Sequence, residues 1–506
     1  MKAILLLLLI ACFTLTFGQF PPKPYGAVPE KRQLAWHNVE VYGLIHFTPT
    51  TFENKEWGYG DADPKIFNPT NFNAEQIVKA AKAGGLRGIV LVAKHHDGFA
   101  LWPTKTTDYN ISKSPFRNGK GDLVKEMELA ARKYGLKFGV YCSPWDRNNN
   151  KYGTAEYLGI YQAQLKELYS NYGELFMSWH DGANGGDGYY GGAKEKRSID
   201  NTTYYDWKNT WQITRKMQPM ANIFSDVGLD VRWVGNENGY AADTSWATFT
   251  PVPAKGQNVA VPGQSNYPDS PKGIIDGKFW MPAECDVPLR GGWFFHANEK
   301  PKTPDQLFDL YLKSVGRGAG LDLGLAPDTR GLLHEDDVAV LKTFGNQIKQ
   351  TFANNLAEKA KITASNNRGK NFNLHFILDR NRNTYWATAD ANHQATINFE
   401  FKELATFDII SLQEYIPLGQ RIDSYTIEVI ENNKWKKIAT GASIGAKQLI
   451  KLKQPISTNK IRIKLSAPVC ITLCEFGLYK KSTTQSFTVS ILRAFNSLVN
   501  SRISRR

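Results

Sequence analysis

Five cysteines in 506 residues are too few and too scattered for a disulfide framework, and none has the paired spacing of a zinc site. Cys12 lies in the apolar N-terminal run, which leaves Cys142, Cys285, Cys470 and Cys474 for the folded chain. Cys470 and Cys474 fall in an extended stretch where four residues span about 13 Å. Disulfide bonding requires Cα atoms within about 7 Å, so a bridge between them requires a turn; isolated buried thiols are the expectation. Nor does the chain have an early G-x-G-x-x-G turn or a Walker loop, which argues against a dinucleotide or P-loop fold. Its one long apolar run, residues 3–15 after Lys2, is too short for a confident membrane span and reads as a secretory signal cut near Gly18-Gln19. A lipoprotein cut at Cys12 is the less favoured alternative, because it would leave the apolar stretch 13–17 on the mature chain. The formal charge is +14, yet no nucleic-acid module is recognisable, and part of the excess sits at the end, in Lys481, Arg493, Arg502, Arg505 and Arg506. Solubility or attraction to anionic glycans accounts for it better.

What is present is a repeated apolar strand that stops at polar residues. The run 175–179 is apolar apart from Ser178 and ends at His180-Asp181, followed by the turn Gly182-Ala183-Asn184-Gly185. The runs 88–94 and 137–143 have the same design and end in His95-His96-Asp97-Gly98 and Pro144-Trp145-Asp146. Between the strands lie helices with legible ends. Asn73 caps 74–83 with Gln76 at the capping-box position, and Asp122 caps 123–134 with Gly135 as its stop. Further strands are expected at 42–47, 222–225, 279–283 and 321–325. About eight strands over some three hundred residues predict a closed α/β barrel of the (β/α)8 TIM type, with its chemistry at the carboxyl ends of the strands.

Near residue 346 the character changes to short strands at β-sandwich spacing: 395–401, 408–413, 424–430, 435–439, 460–465 and 474–479. The predicted organisation is a signal peptide over 1–18, a barrel over 19–345, a linker over 346–355, an all-β jelly-roll sandwich resembling galactose-binding folds over 356–480, and a basic tail over 481–506.

Two carboxyl groups on neighbouring strand ends are what glycoside hydrolysis requires, one as nucleophile and one as proton donor. Asp181 is the natural nucleophile, although it could also cap a following helix. Three acids compete as partner. Glu237 stands in a loop flanked by Gly235 and Gly239 with Trp233 nearby, and is the first choice; Asp226 could be a helix cap, and Glu284 could pair with Arg290. His46, His95, His96 and His180 all fall at strand ends. Adjacent strand residues face opposite ways, so the His95-His96 pair is unsuited to one metal ion, and neutral imidazoles bonding sugar hydroxyls fit better.

At these residues the chain resembles the α-L-fucosidases of glycoside hydrolase family 29, through Gly43-Leu44-Ile45-His46-Phe47, Glu56-Trp57, Lys94-His95-His96-Asp97-Gly98-Phe99, Trp179-His180-Asp181-Gly182-Ala183 and Gly324-Leu325-Ala326-Pro327-Asp328. The resemblance implies that Asp181 is the nucleophile and that His46, Glu56, Trp57, His95, His96, Tyr141, Trp233 and Trp293 surround the sugar. The segment 233–237 is similar to the branch acting on α-1,3- and α-1,4-linked fucose, which makes Glu237 the acid/base, with Glu56 as fallback. The chain departs from the commoner family pattern at His46-Phe47-Thr48 and at His180. No catalytic cofactor is implied, and the partners are fucosylated oligosaccharides or glycoproteins. The sandwich resembles discoidin or coagulation-factor type C modules in the segment 377–386, which implies a structural calcium at Asp379, Thr384 and Glu475, although Arg380 replaces the usual glycine. The alternative function is a catalytically silent fucose- or galactose-binding or adhesion protein.

Overall fold

The computed structural model describes residues 20–225, 228–253 and 267–482. Eight parallel strands close into a barrel: β1 (Val41–Ile45), β2 (Gly88–Lys94), β3 (Lys137–Cys142), β4 (Met177–Trp179), β5 (Asn222–Ser225), β6 (Val231–Trp233), β7 (Ala283–Pro288) and β8 (Gly320–Leu325). Closure is made by β1, where Gly43 is in register with Ile89 of β2 on one side and Leu323 of β8 on the other. Alternation sorts each strand's side chains. Tyr42 and Leu44 of β1 and Val90 and Val92 of β2 fill the barrel interior, while Val41, Ile45, Ile89 and Leu91 pack outward under the helices.

Those helices are α1 (Lys31–Val39), which precedes β1, and then α2 (Ala74–Ala83), α3 (Leu123–Lys133), α4 (Ala155–Asn171), α5 (Trp207–Met217), α6 (Pro304–Lys313) and α7 (Glu335–Thr351). The predicted caps form: Asn73 Oδ1 accepts the Gln76 N–H at 3.1 Å and Asp122 Oδ1 the Lys125 N–H at 2.9 Å. The capping box at Gln76 does not close. Its side chain bonds both backbone groups of Leu333 instead, joining α2 to the loop after β8.

Three expectations are corrected. The strand expected over 279–283 starts later, as β7. Phe279–Trp280 forms a two-residue ladder with Thr248–Phe249 outside the barrel. The segment around Trp233, expected as loop, contributes β6. Glu284 does not pair with Arg290, whose guanidinium binds Asp337 at 2.8 Å. In addition, α7 runs through Thr351, so the first six residues of the expected linker are helical.

The second domain is antiparallel. Two long strands, β10 (Gln394–Gln413) and β13 (Gln448–Ser466), pair along most of their length, flanked by β9 (Lys361–Ala364), β11 (Ser424–Glu431), β12 (Lys434–Gly441) and β14 (Glu475–Tyr479). Register breaks between Glu400 and Ala405 and between Phe407 and Ile409 divide β10, so its first half joins β9 and its second half β14. The sequence shows these halves as two strands because Lys402 and Glu403, followed by the exposed Leu404, interrupt the alternation.

Sandwich and barrel meet over charged as well as apolar groups. Glu40, buried before β1, accepts from Lys447 of the sandwich at 2.6 Å and also binds Arg382. Those cations hold its carboxyl far below the usual range in spite of its burial. Cys142, Cys285, Cys470 and Cys474 are all free and buried. Among the described residues no helix is long and apolar enough to cross a membrane.

Candidate active site

The carboxyl ends of the strands open on a cavity of about 280 Å³ lined by Trp179, Asp181, Gly182, Ala183, Phe224, Trp233, Glu237 and Asp286. Asp181 stands two residues past the end of β4. No α-helix begins until Trp207, so it caps none; its Oδ1 accepts the Ala183 N–H at 2.6 Å in a tight turn. Its Oδ2 accepts the Tyr141 hydroxyl at 2.9 Å, which leaves the carboxylate oriented and partly open to the cavity. Three rings support that arrangement from below. Tyr141 stacks on Trp179 with centroids 4.8 Å apart, and Trp179 on Phe224 at 4.2 Å.

Glu237 arrives from the loop after β6, four residues beyond Trp233. Burial raises its carboxyl pKa, opposed by a hydrogen bond with Trp293, and the charges of Asp181 and Glu56 raise it further. Although the Glu237 side chain is exposed at the cavity mouth, partial desolvation of its carboxyl group and the nearby carboxylates both favour the protonated form that a proton donor requires. Asp226, the rival candidate, lies outside the described residues. Glu284 is sequestered in the barrel interior, bonded to Tyr42 and to Trp179.

Three of the four strand-end histidines gather beside Asp181. His46 and His95 rings are 5.4 Å apart, His95 and His96 only 4.1 Å. Both members of the pair therefore face the site, contrary to the alternation argument, because β2 ends at Lys94 and the chain turns at once. Burial favours the neutral form of all three: it lowers His46 to about 3 and His95 and His96 below their ordinary value, with Asp181 opposing the effect at His96. The tautomer of His96 follows from its neighbours. Ser143 donates its hydroxyl to Trp145 O at 2.7 Å, so it accepts from His96 Nδ1 at 2.8 Å, which leaves Nε2 bare on the Asp181 side, 3.7 Å from Oδ2. Nδ1 of His95 is buried with no partner among the described residues, an orphan that a ligand hydroxyl would satisfy.

His180 is not part of this group. Trp179 and Asp181 point inward, and His180 between them points out, held by Tyr161 at 2.6 Å and Ser178 at 3.0 Å. Glu56 is committed elsewhere: it accepts the N–H groups of Trp293 at 2.8 Å and Phe294 at 3.3 Å and meets His296 at 2.7 Å. It anchors the loop that carries Trp293 against His46, 5.2 Å away, and so serves the site from behind. Trp57 stands half-exposed at the rim, edge-on to His96 at 5.2 Å and Trp145 at 5.6 Å. Trp233 is fixed by its indole N–H, which donates to Asp286 Oδ1 at 2.7 Å.

Trp179, Phe224 and Asp286 were not foreseen as cavity walls. Trp179 was available from alternation alone, two residues before Asp181, and Asp286 from its place two residues before the end of β7. Phe224 had no local signal beyond its strand.

The family described as Alpha-L-fucosidase matches residues 24–351, and the F5/8 type C domain matches residues 361–476. Alpha-L-fucosidase 1 of Arabidopsis thaliana is 39% identical over 466 residues, covering 90% of this chain and 88% of its own. Among solved structures, a putative alpha-L-fucosidase from Bacteroides thetaiotaomicron superposes with a TM-score of 0.83 at 36% identity, over 91% of this chain and 99% of that one. A Ruminococcus gnavus glycoside hydrolase 29 fucosidase, solved in complex with fucose, gives a TM-score of 0.82 at 30% identity, over 92% and 97%.

Proposed function

The chain belongs to the α-L-fucosidase family and hydrolyses α-L-fucosides, and from that premise we propose that it is a secreted, retaining exo-enzyme in which Asp181 is the nucleophile and Glu237 the acid/base. The observation that carries the reading is that these two carboxyl groups, from different strand ends, line one cavity. Asp181 Oδ2 attacks the anomeric carbon as the bond to the leaving oxygen breaks, and Glu237 gives that oxygen its proton. Glu237, then anionic, takes a proton from water; the oxygen of that water attacks the same carbon, releasing fucose and restoring Asp181. Tyr141 holds Asp181 in line, the bare Nε2 of His96 accepts a sugar hydroxyl, and the unpartnered Nδ1 of His95 bonds another. His46, Trp57, Trp233 and Trp293 form the remaining walls.

Linkage follows from the segment 233–237. Its likeness to the α-1,3/1,4-specific branch supports fucose next to galactose as substrate. Purified mature protein should release fucose from a Lewis-type trisaccharide and leave α-1,2-fucosylated lactose intact; release from both would remove the linkage preference while keeping the enzyme. The signal-like segment 1–18 supports export, which the N-terminal residue of protein recovered from the medium tests.

A structural calcium in the sandwich belongs to the same reading. Glu475 Oε1 is buried without a donor, and burial together with the charge of Asp379 raises its pKa to about 7. A cation held by Asp379 and Glu475 would relieve that repulsion, whereas Thr384 already donates its hydroxyl to Asp379 at 2.6 Å and could join as ligand only through its oxygen. Calcium should raise the unfolding midpoint of the wild type and not that of Glu475→Gln; equal midpoints with and without calcium would contradict the site.

A further inference from the structure

Beneath the cavity, β7 carries two inward carboxyl groups two residues apart, Glu284 and Asp286, both buried in the barrel. Each grips one indole of the cavity wall at 2.7 Å: Glu284 Oε1 accepts from Trp179 and Asp286 Oδ1 from Trp233. Each indole in turn leads to one of the two carboxyl groups of the cavity. Trp179 lies under Tyr141, which bonds Asp181, and Trp233 begins the turn that ends at Glu237. We propose that Glu284 and Asp286 are positioning residues, with the i, i+2 spacing of one strand fixing the separation of nucleophile and acid/base through two indole N–H groups.

The surroundings favour a dedicated device over incidental packing. A buried carboxyl group is costly unless its lone pairs are met, and an apolar pair at these positions would fill the barrel without that cost. Glu284 has donors on both oxygens, Tyr42 and Trp179. Asp322 of β8, in register with Asp286, has no N–H or O–H donor among the described residues, and its neighbour is the Glu284 carboxyl. Burial raises the pKa of both carboxyl groups, which disfavours two charges side by side and leaves the oxygens of Glu284 to Tyr42 and Trp179.

The inference rests on the roles proposed for Asp181 and Glu237, so its test separates the two branches by leaving group in the full-length mature protein. Glu284→Leu should lower kcat about 10²-fold on aryl fucosides with good leaving groups and on natural glycosides alike, because attack by Asp181 is common to both. Asp286→Leu should lose about 10²-fold on natural glycosides and far less on activated aryl fucosides, with turnover of the latter rising in azide. Glu284→Gln and Asp286→Asn, which keep the acceptor oxygen, should recover most of each loss. Should a leucine variant fail to fold, Trp179→Phe and Trp233→Phe remove the N–H donors together with one ring of the cavity wall, and should reproduce the two leaving-group patterns. Wild-type kinetics in the phenylalanine variants, or equal losses on both substrate classes for Asp286→Leu and Trp233→Phe, would overturn the inference. If Glu237→Ala itself shows no leaving-group dependence, the failure lies in the assignment of the acid/base instead.

Discussion

At the scale of single residues the site depends on environment more than on identity. The chain offers many carboxylates, but Asp181 is presented by a strand end and a glycine turn, and Glu237 stands exposed at the cavity mouth beside Trp293. Because a general acid works only while protonated, the raised pKa of Glu237 extends activity above the ordinary glutamic range, and kcat/KM should fall as pH rises through it. The Trp293 hydrogen bond favours the charged form, so Trp293→Phe should move that alkaline limb to higher pH; a limb that stays put or moves down would contradict the contact. Asp181 was legible in the sequence for the same reason that His180 was misplaced. Both follow a buried strand, but a strand's alternation decides which of two neighbours reaches the cavity, and the sequence does not say where the strand's last regular residue lies. At His95-His96 the opposite happened, because the chain leaves β2 one residue earlier than the alternation argument needed.

Among elements, the loops contribute most of what the sequence hid. The barrel strands β1 to β5 and β8 were readable as buried runs, whereas β6 is three residues with Arg232 in its middle and looks like loop. Arg232 is tolerated there because backbone carbonyls of Ser270 and Trp246, each 3.0 Å away, take its guanidinium. Glu56 shows how one loop holds another. Its carboxylate receives two successive backbone N–H groups of the segment that carries Trp293, so Glu56→Ala should free that segment while leaving both catalytic carboxyl groups in place. The expected result is a ten- to hundredfold fall in kcat/KM, on the order of the cost of a misplaced wall. Steady-state kinetics with an aryl fucoside check it, and wild-type kinetics would restore Glu56 to the list of unassigned acids.

Over the whole molecule, the two-domain division was legible from the change of period and strand spacing, but not the way the domains are joined. That depends on pairings between residues hundreds of positions apart. Glu40 is the focus: Arg382 and Lys447 reach it from the sandwich and Arg87 from the barrel side, and the N-terminal segment adds Tyr25 N–H to Leu418 O at 3.0 Å. Removing the carboxylate leaves two cations, Arg382 and Lys447, facing each other, both in partial contact with solvent. Glu40→Ala should therefore cost about 1–3 kcal/mol, less than breaking a fully buried pair, read as a lower denaturation midpoint with the Asp181 site intact in the folded fraction. An unchanged midpoint would mean that the apolar contacts alone join the domains.

The central claim is that Asp181 and Glu237 act as nucleophile and acid/base of one cavity, and trapping the covalent intermediate tests it most directly. Glu237→Ala, mixed with an activated aryl fucoside and quenched during turnover, should carry one fucosyl unit on the peptide containing Asp181, detected by mass spectrometry, and the adduct should disappear when azide is added. A fucosyl unit on another peptide, or fast turnover by Asp181→Ala, would contradict the account.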